Sequence, residues 1–184
     1  HYAKDDGSLP RLSPALGKLT RTNSESILGA MRPNYLPEQD FSEGVAITSS
    51  FHPRPDTHIE PVRYGKGSNA IAILQTLLTD GDGPLPRWRT LVNEIRRKPS
   101  MFLQLFYLRR WSQRSVITLV MQNLDNSLET SVKRRGPFRY VTSKQGHGEP
   151  NPTWIPAGNE ATRRIAENIG GLAGGTWGEI ANMP

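Results

Sequence analysis

The period of the hydrophobic pattern changes along the chain, and each change marks an element. Residues 1–42 keep no steady period and are punctuated by Pro10, Pro14, Pro33 and Pro37, so they read as a connecting arm. Residues 44–51 (GVAITSSF) carry β-branched positions over a strand's length. After the turn-rich HPRPD, residues 57–64 (THIEPVRY) alternate as a second strand, and Pro61 places it at an edge or beside a bulge. Residues 70–79 (AIAILQTLLT) form a short apolar run bounded by glycines, ambiguous between strand and helix by period and read here as a strand. A 3.6-residue period then takes over at Trp88, Leu91, Val92 and Ile95. Pro99 stops that helix and can open the next one. The second helix, SMFLQLFYLRRW, is apolar on nearly every side, as a helix is when it is fully buried or touches something greasy.

Residues 115–124 (SVITLVMQNL) read as a buried strand. LETSVKR and FRYVTSK read as two strands joined by a turn at Gly136 and Pro137. Across residues 156–169 Ala161, Ile165 and Ile169 recur every four positions beside Gly158 and Thr162, and Gly170 suits the position just past a helix end. Strands clustered together with helices at the side predict an α+β fold: a mixed or antiparallel β-sheet with helices packed on one side. The expected division is a connecting arm over 1–42 and a domain over 43–184.

Composition narrows the chemistry. With 184 residues the chain can bury a core without disulfides. The absence of cysteine excludes a thiol nucleophile and a cysteine-built zinc site. No apolar run approaches the ~20 residues that cross a bilayer, so either the cytoplasm or the cell envelope fits. The net charge of +6 is concentrated between residues 85 and 114, where Arg87, Arg89, Arg96, Arg97, Lys98, Arg109, Arg110 and Arg114 face the single acid Glu94. Such a block suits nucleic acid, an anionic membrane surface, an acidic partner or a solvated helix face. Its aromatics follow apolar helix patterns and are not interleaved as base-stacking platforms, which argues against nucleic acid. A peripheral membrane contact over residues 101–111 stays open.

The four histidines, His1, His52, His58 and His147, include no H-x-x-x-H pair, so no metal site is expected. The GG-x-x-GG stretch from Gly170 to Gly175 follows a helix and reads as a tight turn rather than a dinucleotide fingerprint. His58 and Glu60 share one face of the expected strand. A carboxylate beside an imidazole is a usable acid–base pair; a structural ion pair of Glu60 with Arg63 fits the same pattern. His147, between two glycines in QGHGEPNP, suits a turned loop better than a catalytic base.

Three segments, LTRTNSESILGA (19–30), GVAITSSFHPRPDTHIEPVRYGKGSNA (44–70) and residues 142–179, TSKQGHGEPNPTWIPAGNEATRRIAENIGGLAGGTWGE, follow one another as in the substrate domain of cholesterol-oxidase-like flavoenzymes. The chain resembles that region of the glucose–methanol–choline oxidoreductase family. The resemblance implies the substrate-binding part of an FAD-dependent alcohol oxidase, most closely a 3β-hydroxysteroid oxidase. Such an enzyme passes hydride to the flavin, turns molecular oxygen into hydrogen peroxide and can shift the Δ5 double bond to Δ4. FAD would be held mainly by a domain outside this chain, and the piece alone would be inactive. The alternatives are another alcohol substrate, or a basic module binding nucleic acid or a membrane surface. THIEPV resembles the family strand that brings a glutamate over the flavin. Aligning on Ile59 and Pro61 puts His58 at that position, so His58 and Glu60 are both catalytic candidates. Residues 20–26 resemble the segment leaving the flavin domain, which makes Asn23 and Thr22 the cofactor-binding candidates; a turn-forming asparagine fits there too. Phe102, Leu105, Phe106, Leu108, Val116 and Met121 are candidates for the wall of an apolar pocket.

Overall fold

The computed structural model describes residues 2–22 and 24–181, which form two compact units: 2–22 with 123–151, and 24–122 with 152–181. The architecture is α+β. In the larger unit β1 (Ser26–Met31), β2 (Phe51–Arg54), β3 (Thr57–Val62), β4 (Gln75–Leu77), β5 (Ser115–Gln122) and β8 (Leu172–Thr176) build one sheet in the order β2-β3-β5-β1-β8-β4. Every pairing in it is antiparallel.

The alternation of side chains gives this sheet two chemically different faces. Leu28, Ile59 and Val120 point to one face and pack with Ile155 at the start of α5 (Pro156–Asn168). Helix α5 buries small residues there: Ala157, Gly158, Thr162 and Ala166. A Cβ on Gly158 would stand 2.8 Å from Val120 Cγ2 and 3.3 Å from Leu28 Cδ1, so the missing side chain sets how close the helix lies. Met31, Leu77 and Ile117 point to the other face. They pack with Leu91 of α2 (Arg87–Arg97), Leu105 of α3 (Pro99–Leu105) and Trp111 of α4 (Trp111–Arg114). Pro99 occupies the first turn of α3, as expected.

Several elements differ from the sequence reading: β1 lies within the stretch 1–42 that had read as an arm, and the apolar helix expected over residues 100–111 ends at Leu105, with Leu103 exposed and α4 starting afresh at Trp111. Residues 44–51 form no strand; Ile47 makes an isolated bridge to Val62, and the strand falls on Phe51–Arg54, where HPRPD had read as a break. β2 is an edge strand, which tolerates Pro53. The run from Ala70 splits into a 3-10 turn, Asn69–Leu74, and the short β4. The second glycine pair of GG-x-x-GG lies inside β8, while Gly170, at φ +62, ends α5. Pro61 fits its strand for a local reason. The Arg63 N–H bonds the Ala46 carbonyl at 3.0 Å, away from β5, and strand periodicity turns the Pro61 nitrogen to that same side.

A buried ionic network ties the larger unit together. Arg87 donates to the carbonyls of Thr79, Thr153 and Glu179, and its Nη2 stands 3.6 Å from Glu179 Oε1. Glu179, on α6 (Trp177–Ile180), also accepts from Ser26 Oγ at 2.7 Å. Arg114 is buried as well, donating to the carbonyls of Arg32, Pro33 and Tyr107. Two of the eight cations in the basic block are therefore internal and unavailable to an anionic partner.

The smaller unit contains α1 (Tyr2–Asp5) and the hairpin of β6 (Leu128–Arg135) and β7 (Phe138–Gln145). Gly136, at φ +59 before Pro137, supplies the left-handed first turn position of a two-residue hairpin loop. Glu129 and Lys144 face each other across the hairpin at 2.8 Å.

Candidate active site

The site is built from the second sheet face. On β3, His58 and Glu60 project opposite to the buried Ile59 and are half-buried. Their register partners on β5 are Met121 and Leu119, and Leu119 pairs in turn with Ile27 of β1. The two titratable groups thus stand among apolar side chains, of which Ile27 is 42% exposed. The His58 ring also lies 5.6 Å from that of His52 on β2, tilted by 34°.

The structural ion pair with Arg63 does not form. Residues 60 and 63 differ by an odd step and point to opposite faces. The Arg63 guanidinium donates to the Glu43 carbonyl instead. His58 and Glu60 therefore share a face as the alternation predicts, with the carboxylate free of a salt bridge among the described residues.

Along the same face, toward β8 and β4, lies a cavity of about 320 Å³ walled by Ile27, Tyr64, Ile71, Leu74, Trp111 and Trp177. Its wall also includes Gly29, Gln75 and Ile117. Residue pairing gives the spacing: Val62, Ile117, Gly29 and Gly174 form one row across β3, β5, β1 and β8, and Glu60 stands two residues along from that row. Sequence reasoning missed Gln75 and both tryptophans, because a 3-10 turn before β4 and the starts of α4 and α6 bring them to the wall from distant segments.

Of the expected apolar wall residues, Met121 lies on the His58–Glu60 face. Val116 lies on the opposite face, and Leu105 is fully buried in the core. Phe102 and Phe106 pack edge to face at 5.0 Å. At the surface the exposed apolar groups of this region are Leu103, at 70%, with Tyr107 and Leu108.

Asn23 lies outside the described residues. Thr22 belongs to the smaller unit, where its exposed Oγ1 accepts a hydrogen bond from Asn151 Nδ2 at 3.1 Å. His147 is in the same unit and serves a loop. Its N–H donates to Ser127 Oγ at 2.9 Å and its carbonyl accepts from the Ser127 N–H at 2.8 Å. Gly148, at φ +78, packs directly on the Asp125 carbonyl, which leaves no room for a side chain. The glycines of QGHGEPNP answer to that close approach. Arg21 bonds Asp125 at 2.7 Å and holds its carboxyl below the usual range.

Among the described residues no group of three His, Cys, Asp or Glu is placed to hold a metal ion, and no helix is long and apolar enough to cross a membrane. The chain is 59% identical over 186 residues to proteins named cholesterol oxidase from two strains of Mycobacterium tuberculosis. It is 36% identical over 187 residues to a protein of that name from Acinetobacter baumannii. Each match covers 98% of this chain and 32% of the relative, so the chain spans about a third of the length of the curated relatives it matches. No protein-family model and no solved structure matches it.

Proposed function

From a chain homologous over nearly its whole length to a third of the cholesterol oxidases, we propose the substrate-binding part of an FAD-dependent oxidase of 3β-hydroxysteroids. The observation that carries this reading is the sheet face on which His58 and Glu60 stand among apolar side chains beside an apolar cavity. A steroid alcohol is apolar over most of its surface with few polar atoms, and such ligands take mostly apolar sites with few, placed polar groups.

FAD, held mainly by residues outside this chain, would supply the hydride acceptor of an oxygen-dependent, peroxide-releasing oxidation. The chain's own residues bind, orient and manage protons. Ile27, Leu119 and Met121 hold the ring system against the sheet and exclude water. Glu60 takes a proton from the carbon between the double bond and the new C3 ketone and returns it further along the ring, which moves the double bond into conjugation. His58, one step along the strand, donates a hydrogen bond to orient either the carboxylate or the substrate oxygen. Thr22 carries an exposed, uncharged hydroxyl that suits hydrogen bonding to the polar edge of a flavin, and Asn23 is its neighbour in the same role.

The test uses the FAD-containing protein. Hydrogen peroxide release reads oxidation, and absorbance of the conjugated enone reads isomerisation. Glu60→Gln should cut isomerisation by 100-fold or more, the scale of one general acid–base group, while peroxide release persists. His58→Asn should lower both. Isomerisation that survives Glu60→Gln and is abolished by His58→Asn would transfer the proton-carrying role to His58. Absence of peroxide release with every 3β-hydroxysteroid tried would overturn the reading itself.

A further inference from the structure

Gln75, on β4, is 5% exposed and forms part of the cavity wall. Its amide orientation is fixed by chemistry. Trp111 Nε1–H is a donor only, and it lies 2.9 Å from Gln75 Oε1. The oxygen must face the indole, so the NH2 group faces the other way. There Nε2 finds no acceptor among the described residues. A buried amide left in this state is costly, and native proteins keep few of them.

One glycine makes room for this arrangement and a second lies beside it. Gly29 and Gly174 are register partners on β1 and β8. A Cβ on Gly174 would stand 2.6 Å from Gln75 Nε2, and one on Gly29 would stand 3.5 Å from it. The side chain therefore lies flat across β8 toward β1, over two positions that lack side chains. Packing alone has a simpler solution at such a place, namely an apolar residue on β4 and an alanine at position 174 beneath it. The chain instead keeps an amide with an unmet donor in the wall of a largely apolar cavity.

We propose that this cavity receives the end of the ligand remote from His58 and Glu60, and that Gln75 Nε2 donates a hydrogen bond to a ketone or hydroxyl oxygen carried there. The inference rests on the steroid-alcohol reading above and adds a specificity to it: polycyclic alcohols with a second oxygen at the far end. The spacing agrees. The Gln75 amide lies over the row that contains Val62, two to three strands from β3, and Glu60 is two residues along. With strands ~4.8 Å apart and ~3.4 Å per residue, the two groups are about 12–16 Å apart. That is comparable with the long axis of four fused rings.

The test is a fluorescence titration of the full chain, since Trp111 and Trp177 line the cavity and report its occupancy. The probes are a matched pair: an androstane-type 3β-alcohol with a ketone on the far five-membered ring, and the same skeleton with a methylene there. The ketone should bind about 5- to 100-fold more tightly, the range of one hydrogen bond to an otherwise unmet donor. Gln75→Leu should abolish the difference. Because that change strands the Trp111 N–H, the double variant Gln75→Leu/Trp111→Phe, which removes both polar partners, is measured beside it. Equal affinity of the pair for the unaltered chain overturns the proposal. So does a ketone preference that survives in the double variant. Binding of neither probe overturns it too, and peroxide release by the FAD-containing protein then decides separately whether the steroid-oxidase reading stands.

Discussion

Glu179 is the residue whose removal should be felt most across the larger unit. Its side chain is 2% exposed and that of Arg87 is 4% exposed, so the pair is out of water. The carboxylate accepts from Ser26 Oγ at 2.7 Å and from the Thr176 N–H at 3.4 Å, and Gly175 leaves it room, since a Cβ there would stand 2.8 Å from Oε2. Glu179→Ala leaves the Ser26 hydroxyl and the Arg87 charge without their partner. Breaking a buried pair from one side costs about 3–5 kcal/mol, a large part of the roughly 5–15 kcal/mol by which a domain is stable. Glu179→Gln keeps the shape and one acceptor for Ser26. It should cost less, about 2 kcal/mol, the worth of a hydrogen bond to a charged group. Arg87→Ala combined with Glu179→Ala should cost less than the sum of the two single changes.

The pH dependence separates this account from simple cavity formation. Burial pushes the Glu179 carboxyl above its ordinary value of 4.5, and the Ser26 hydrogen bond and the Arg87 charge only partly offset it. The folded state then holds that proton more tightly than the unfolded state does. Its contribution is fully present below about pH 4.5 and is lost as pH rises through the raised value. Glutamine does not titrate. The penalty of Glu179→Gln, read by urea unfolding at pH 4.5, 6 and 8, should therefore shrink as pH rises. A penalty that grows over the same range would mean that attraction to Arg87 outweighs burial, and the reasoning would be wrong.

Two further predictions follow from neighbouring geometry. Gly158→Val forces atoms against Val120 and Leu28 at the closest approach of α5 to the sheet; overpacking of this kind costs about 1–3 kcal/mol, or a fall in Tm of roughly 2–10 °C by calorimetry. Asp40 feels some burial, but hydrogen bonds from Gln113 at 2.6 Å and from Ser42 and Tyr35 outweigh it and hold the carboxyl down to about 2. Its stabilising contribution is present above about pH 3.8 and disappears as pH falls toward 2, so Asp40→Asn should be less stable than the parent at pH 5 and nearly equal to it at pH 2 in acid-unfolding curves.

Long periodic runs were legible and short mixed ones were not. β5, the β6–β7 hairpin, α2 and α5 stand where their periods put them, because each carries enough apolar positions to set a face. β1 was hidden. SILGAM alternates poorly, and Gly29 in its middle looks like a turn until Ile117 and the Val116 carbonyl are seen pressed against it. β8 failed for the same reason: Gly174 and Gly175 sit in a strand because Gln75 and Glu179 fill the space above them. Arg87 and Arg114 counted as surface charge in a linear reading, yet the chain folds backbone carbonyls around both. At the candidate site, alternation placed His58 and Glu60 on one face, but it could not show which groups share that face with them. Those arrive from β1, β5 and the turn before β4.

β5 explains why this face matters. A half-solvated antiparallel strand alternates apolar and polar positions, whereas one covered on both faces reads as a continuous apolar run. SVITLVMQ is nearly continuous. One of its faces is accounted for, because Val120 packs with Leu28, Ile59 and Ile155 against the α5 side. Part of the other is closed where Ile117 meets Trp111 and Leu105. That leaves Leu119 and Met121, half-buried beside Ile27 and directly opposite Glu60 and His58. Apolar surface left against water forgoes about 25 cal/mol for each Å², so the strand's composition is understood best if an apolar partner covers this patch in the working protein. Under the function proposed above, a titratable pair at one end, an unmet amide at the other and greasy walls between them call for a partner that is elongated, mostly hydrocarbon, and polar where the chain offers hydrogen bonds.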